Sequence, residues 1–208
     1  MRIAGIDEAG RGAWAGPVSA GAVILPADPW IVERLEGVRD SKQMTPLQRS
    51  YWADIIRREA LAWGVGFASP DEIDLVGLLP ATRLAMMRAL RQMPLPPEHL
   101  LIDAMKLPSA VSQTSLIKGD ARSLSIAAAS VLAKTARDSV MVSMDQRYPG
   151  YDFCLHKGYG TAFHQEALLR LGACEIHRRR FTPIYNLMHY GCLWIEGESQ
   201  EEIADEVE

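Results

Sequence analysis

The sequence predicts an α/β fold, a mixed five-stranded sheet flanked by helices with a C-terminal helical segment. Three observations carry that reading. Five short, mostly apolar runs bounded by turn residues fall between residues 2 and 120. The first two are separated only by a glycine-rich turn, which makes them antiparallel neighbours. The later runs alternate with segments of helical period, which favours parallel strands with helices on the faces of the sheet.

The elements follow in order. Residues 2–7 (RIAGID) and 18–25 (VSAGAVIL) read as strands joined by EAGRGAWAGP. After a loop holding DSKQMT, a helix covers 46–60, with Thr45 as N-cap and Pro46 at its first position. Its apolar residues Tyr51, Trp52, Ile55 and Ile56 recur at helical spacing. AWGVGFAS (62–69) is the third strand, and Ser69 with the acids of SPDEID marks another helix start. A helix from Leu79 to Met93 is stopped by Pro94, Pro96 and Pro97. HLLID (99–103) and SLIKGD (115–120) are the fourth and fifth strands. A long helix rich in Ala and Ser runs from Ser123 to about Arg147, and a shorter one covers 161–171.

Length and charge bound the function. The 208 residues fit one domain with at most a small appendage. There are 22 basic and 26 acidic residues, a formal net charge of −4, which by itself argues against a nucleic-acid partner. The total hides a division. From Glu196 onward there are seven acids and no Lys or Arg, so the rest of the chain carries 22 basic against 19 acidic residues. Between Arg147 and Arg180 six basic residues face three acids. No apolar run approaches a membrane span, and the amino terminus has no signal-peptide stretch. Cys154, Cys174 and Cys192 are odd in number and widely spaced, which fits a reducing cytoplasm rather than a disulfide scaffold or a zinc site. The end, GESQEEIADEVE, reads as a solvated, flexible acidic tail.

Four acids fall where functional groups gather in sheets with helical crossovers. Asp7 and Glu8 end the first strand, Asp103 ends the fourth, and Asp120 precedes the longest helix. Singly, each is explained as a turn former or helix cap. Brought together, they would repel, and would stay ionised only around a hard cation such as Mg²⁺ or Mn²⁺. GRGAWAG (10–16) leads into a strand rather than a helix and follows two acids, so it is not a dinucleotide loop. It reads instead as a glycine turn whose backbone approaches a ligand closely beside Arg11, or as a plain hairpin connection. His156, His164 and His177 have no metal-ligand spacing and are expected on a basic surface. In HKGYG (156–160), Tyr159 could stack on a sugar or base while Lys157 contacts phosphate. HRRRF (177–181) by itself reads as a solvated basic face.

Taken together, GIDEAGRG (5–12), DSK (40–42), EID (72–74), LLID (100–103), KGDARSLSIAAASVLAK (118–134), YPGY (148–151), HKGYGT (156–161) and HRRRF (177–181) resemble ribonuclease HII in order and spacing. The resemblance runs from the first residues to about Ile184. It implies a ribonuclease H-like catalytic domain over 1–184, including a helical, basic substrate-binding segment over about 147–184. Residues 185–208 are then a C-terminal extension.

The implied activity is metal-dependent endonucleolytic cleavage of RNA in RNA/DNA hybrids. It includes incision at single ribonucleotides in duplex DNA, leaving 3′-hydroxyl and 5′-phosphate ends. The resemblance places catalytic, metal-binding acids at Asp7, Glu8, Asp103 and Asp120, and a ribose-sensing turn at Gly10, Arg11 and Gly12. Tyr159 corresponds to a tyrosine that packs on the neighbouring deoxyribose, and Lys42 to the lysine of the DSK segment, a phosphate contact. Two divalent ions, Mn²⁺ or Mg²⁺, roughly 4 Å apart, would then generate hydroxide and stabilise the leaving 3′ oxygen. Ribose is told from deoxyribose by its 2′-hydroxyl, a task suited to backbone groups of Gly10–Gly12.

Ala13 stands where this family usually has proline, and IDAMK replaces the usual aspartate–glycine pair; neither removes a proposed ligand. The expected partners are RNA/DNA hybrid and ribonucleotide-containing DNA duplexes, engaged by a monomer without membrane association. No glutamine-initiated aromatic motif of the clamp-docking kind occurs near the end. A non-catalytic hybrid-binding protein on the same fold is the alternative. The sibling type HIII usually carries an extra amino-terminal domain, for which a catalytic strand beginning at residue 2 leaves no room.

Overall fold

Strands β1 (Ile3–Ala9), β2 (Val18–Ile24), β3 (Ala62–Ala68), β4 (His99–Asp103) and β5 (Ser112–Leu116) form one sheet in the order β3-β2-β1-β4-β5. The computed structural model describes residues 1–39 and 41–195; Asp40 and the acidic tail from Glu196 lie outside the described residues. β1 pairs antiparallel with β2 and parallel with β4, and β4 pairs parallel with β5. The expectation that later strands would be parallel fails at one border. β3 is antiparallel to its neighbour β2, because it joins the far edge and thereby runs in the direction of β1. The parallel register pairs Ile6 with Ile102, so the next step along both central strands sets Asp7 beside Asp103.

Eight α-helices are described: α1 (Trp30–Arg34), α2 (Pro46–Glu59), α3 (Pro70–Val76), α4 (Leu78–Arg91), α5 (Leu124–Arg147), α6 (Phe153–His156), α7 (Ala162–Leu171) and α8 (Thr182–Tyr190). The N-terminal signals of α2 and α3 act as read from the sequence. Thr45 and Ser69 each cap reciprocally with the residue three places on, Gln48 and Glu72, satisfying two otherwise orphaned amides per helix. The fifth strand lies three residues earlier than expected and carries mostly exposed polar residues, as an edge strand can. The expected domain end at 184 falls inside α8.

The chain divides into two compact units. One holds residues 1–9, 18–68 and 79–137; the other holds 10–17, 69–78 and the chain from Asp138. The first contains the sheet and the amino-terminal part of α5. That helix is rich in Ala and Ser because it lies almost on the strands. A Cβ on Gly5 of β1 would stand 2.1 Å from the backbone of Ser125, and one on Gly21 of β2 would stand 2.2 Å from the Ala129 carbonyl oxygen. Ser19 of β2 donates to the Ala133 carbonyl at 2.9 Å, continuing the same helix face. Around this contact Val23, Leu35, Ile56, Val131 and Leu132 form an apolar core. The second unit has its own core of Trp14, Tyr151, Phe153, Leu168, Ile184 and Leu193.

Candidate active site

The four acids all belong to the first unit. Asp7 is buried, and its carboxyl is held well above the ordinary carboxylate range, by burial first and then by the negative charges of Glu8 and Asp103. Hydrogen bonds from Ser130 of α5 and from the Glu8 amide, at 2.8 Å, oppose that shift. Ser130 is itself held by Ser41, 2.9 Å away in the DSK segment. Close packing of α5 on the glycines of the sheet is what brings a helix serine within reach of a strand carboxylate.

The three aspartates share one device. Each accepts at Oδ1 from a main-chain amide: Asp7 from Glu8 N–H at 2.8 Å, Asp103 from Gly119 N–H at 2.7 Å, and Asp120 from Ala121 N–H at 2.9 Å. Charge-assisted bonds of this kind fix the plane of a carboxylate. The Gly119 bond also ties the end of β4 to the short 3-10 turn Gly119–Ala121 that carries Asp120. Asp7, Glu8 and Asp103 are thus brought into electrostatic contact, and Asp120 is the chain neighbour of the group that holds Asp103. As placed, no three His, Cys, Asp or Glu side chains among the described residues form a ready cation cage. The donor set nevertheless fits a hard divalent cation: all-oxygen, half-buried or buried, and carrying a surplus of negative charge that raises Asp7.

The glycine turn belongs to the second unit, where its neighbours are far away in sequence. Trp14 and Ala15 amides both donate to the Gly158 carbonyl, at 2.8 and 3.2 Å, and Ala15 bridges to His177. Arg178 is fully buried and donates to three carbonyls of the turn: Gly16 at 3.0 Å, Arg11 at 2.5 Å and Gly10 at 2.6 Å. Its guanidinium also lies over the Phe181 ring. The HRRRF run is therefore divided: Arg179 and Arg180 are exposed, with amides held by the two carboxylate oxygens of Asp74 from the EID segment at 2.8 and 3.1 Å. The solvated face expected of the run holds for those two arginines and fails for Arg178.

The histidines depart from expectation more sharply. His156, His164 and His177 are buried in a stack, with ring centroids 4.3 Å apart for the first pair and 5.2 Å for the second. Hydrogen bonds order their protons. The Cys174 amide donates to His177 Nδ1 at 2.9 Å, leaving the proton on Nε2, which faces His164 Nε2 at 3.0 Å. His164 then carries its proton on Nδ1 and donates to the Tyr159 carbonyl at 3.0 Å. His156 accepts from the Gly158 amide and donates to the Tyr151 carbonyl. Burial keeps all three neutral, His164 pushed down to about 3 and His177 to about 4. They are packing and anchoring groups for the HKGYG loop, not surface charges. Within that loop Tyr159 is half-buried, and the Lys157 ammonium donates to the Cys154 carbonyl. Lys42 is exposed.

A family profile described as Ribonuclease HII matches residues 4–184. The chain is 52% identical over 181 residues to the Ribonuclease HII of Moorella thermoacetica, covering 86% of each. The chain belongs to the ribonuclease HII family. The ribonuclease H2 structure from Pyrococcus horikoshii matches with a TM-score of 0.75 at 26% identity, covering 90% of this chain and 97% of that one. The Archaeoglobus fulgidus ribonuclease HII, solved as a complex with PCNA, matches with a TM-score of 0.70 at 21% identity, covering 97% of this chain and 100% of that one, a likeness of fold. Ribonuclease HII membership supports a ribonuclease H nuclease activity for this chain. Among the described residues no helix is long and apolar enough to cross a membrane.

Two groups escaped the sequence reading of this ribonuclease HII chain. Arg178 looked like one of three interchangeable arginines, and its carbonyl partners lie 162–168 residues away. Asp74 gave a signal only as part of EID. Its two carboxylate oxygens hold two consecutive amides of HRRRF, so one acid organises the run from which Arg178 projects.

Proposed function

We propose that this chain is a metal-dependent endoribonuclease. It hydrolyses the RNA strand of RNA/DNA hybrids and incises at single ribonucleotides in duplex DNA, leaving 3′-hydroxyl and 5′-phosphate ends. The observation that carries the reading is the strand-end group of Asp7, Glu8 and Asp103, where burial first and then the neighbouring negative charges raise the Asp7 carboxyl well above the ordinary carboxylate range, a strain that a bound cation would relieve. Asp7, Glu8, Asp103 and Asp120 would hold Mn²⁺ or Mg²⁺. Bound there, a pair of such ions supplies an activated water and charge stabilisation for the leaving oxygen.

The chain's own groups do the rest. The amides of Glu8, Gly119 and Ala121 keep the three aspartate carboxylates turned in fixed planes. Backbone groups of Gly10, Arg11 and Gly12 read the ribose 2′-hydroxyl, Tyr159 packs on the adjoining sugar, and Lys42 contacts phosphate. Lys157 has its ammonium on the Cys154 carbonyl, so its contribution is to the shape of the HKGYG loop as well as to the phosphate. The protein acts as a monomer in a reducing cytoplasm, a setting favoured by three free cysteines.

Cleavage of three end-labelled duplexes tests the reading: a hybrid, a DNA duplex with one ribonucleotide, and all DNA, each with Mn²⁺, Mg²⁺ or EDTA. Cutting of the first two with metal only, and none of the third, is expected. Equal cutting of all-DNA duplex, or activity in EDTA, overturns it.

A further inference from the structure

One distant side chain holds three carbonyls of the loop Gly10–Gly16. All three guanidinium nitrogens of Arg178 are committed to its carbonyls, Nε to Gly16, Nη1 to Arg11 and Nη2 to Gly10. The Arg178 amide adds a fourth tie, to the Trp14 carbonyl at 2.8 Å. The chain contains no cis peptide bond among the described residues. In a trans peptide the carbonyl and the following N–H point in opposite directions. Turning the Gly10 carbonyl toward Arg178 therefore turns the Arg11 N–H away from it. The Arg11 carbonyl does the same to the N–H of Gly12, a residue on the solvent-exposed side of the turn. Two consecutive amides are thus turned away from a guanidinium that itself never reaches the surface. Gly10, at φ 91°, takes the left-handed backbone that lets the two carbonyls converge on one guanidinium.

We propose that Arg178 is the positioning residue for ribose selection: by gripping the Gly10 and Arg11 carbonyls it aims the Arg11 and Gly12 amides at the 2′-hydroxyl. This rests on the reading of Gly10–Gly12 given above. A site whose donors are fixed toward a hydroxyl discriminates strongly against the analogue that lacks it, since those donors then have no partner. If the donors can swing, water or another backbone group satisfies them and the discrimination fades. Lysine cannot substitute. Its single ammonium is a point charge and cannot span three carbonyls as a planar fork does. Phe181, over whose ring the guanidinium lies 5.1 Å from the centroid, holds the fork in plane.

The test measures selectivity rather than activity alone. Binding of a duplex with one ribonucleotide and of the matching all-DNA duplex is measured in Ca²⁺ for wild type, Arg178→Lys and Gly12→Pro, with kcat and KM in Mn²⁺ for the first duplex. Arg178→Lys is expected to lose about 30-fold or more in affinity and in kcat/KM for the ribonucleotide duplex while its all-DNA affinity stays within twofold. A parallel loss on both duplexes would mean a merely structural role and overturns the proposal, as does wild-type selectivity in this variant. Gly12→Pro removes one of the two amides. If it keeps ribose selectivity, the reading of Gly10–Gly12 itself fails; if it loses selectivity while Arg178→Lys keeps it, only the role of Arg178 fails. Arg178→Ala with methylguanidinium covers the case in which Arg178→Lys is poorly folded. Recovery of at least tenfold in kcat/KM with methylguanidinium, and none with methylammonium, supports the assignment; no recovery overturns it.

Discussion

Asp103→Asn separates a site acid from a structural one. The Gly119 amide donates to Asp103 Oδ1 at 2.7 Å, and asparagine offers the same oxygen in the same place. The bond changes from a charged acceptor, with a contribution of about 1.5–3 kcal/mol, to a neutral one of about 1 kcal/mol. Against that loss, the substitution removes the weakest of the charges that raise the Asp7 carboxyl, a partial relief. The metal-free variant should therefore melt within about 4 °C of wild type, since 1 kcal/mol shifts a chain of this size by roughly 2–4 °C. The two proteins part when a cation is added. A ligand at 100 times its dissociation constant stabilises by about 2.7 kcal/mol, or roughly 5–11 °C on the same scale. Wild type should show that rise with Mn²⁺ and the variant little of it. Cleavage of the single-ribonucleotide duplex should fall at least ~100-fold, the scale of losing one group aimed at developing charge. Calorimetry with and without Mn²⁺, and a gel assay on the same samples, decide the matter. A folded variant that keeps the full Mn²⁺ shift, or cuts at the wild-type rate, refutes the reasoning.

Other expectations follow from the same geometry. Gly5→Ala pushes a methyl to 2.1 Å from the Ser125 backbone and should cost about 3 kcal/mol or more in urea unfolding, overpacking where nothing flexible can give way; a loss below ~1 kcal/mol would show that α5 can retreat. The buried histidines set an acid limit. Ordinary histidine titrates near 6.5 unfolded, whereas His164 and His177 titrate at about 3 and about 4 folded, so their stabilising contribution is complete above 6.5 and is lost as pH falls toward 4. Each should add about a tenfold loss in folding constant per pH unit across that window, and His164→Asn should flatten the urea midpoint against pH. Deleting residues 196–208 removes seven acids and should raise duplex affinity at low salt, with the gain fading as salt rises; salt-independent affinity in the truncated chain would count against an electrostatic role.

The legible parts of the sequence were those whose partners are local or whose period is regular. Thr45 and Ser69 announced their helices because a capping box spans four residues. The strand-end acids stood out because a charge at the end of an apolar run is visible without knowing what lies beside it. SQTSL is hard to see as a strand because an exposed, polar edge strand shows no apolar alternation, whereas Leu116 and Ile117 beside the glycine turn do look like one. The five-residue α1 is too short for a period, whereas α8 carried signals in Pro183 and Gly191 that went unused. Arg178 and the three histidines were illegible for a stronger reason. A charged or titratable side chain is read as exposed unless its partner is known: chain closure brings Arg178 its carbonyls from 162–168 residues away, and the histidines find their partners 2–13 residues away in loops that have no period.

That closure has a consequence for the order in which the protein is made. All four acids lie within the first 120 residues, and the unit that holds them ends at Arg137. Arg178, which shapes the turn at Gly10–Gly16, leaves the ribosome 58 residues after Asp120, a delay of about 3–12 s at roughly 5–20 residues per second. The residues proposed for hydrolysis are therefore synthesised before the residue proposed to make it selective, and a nascent or prematurely ended chain would carry the first without the second.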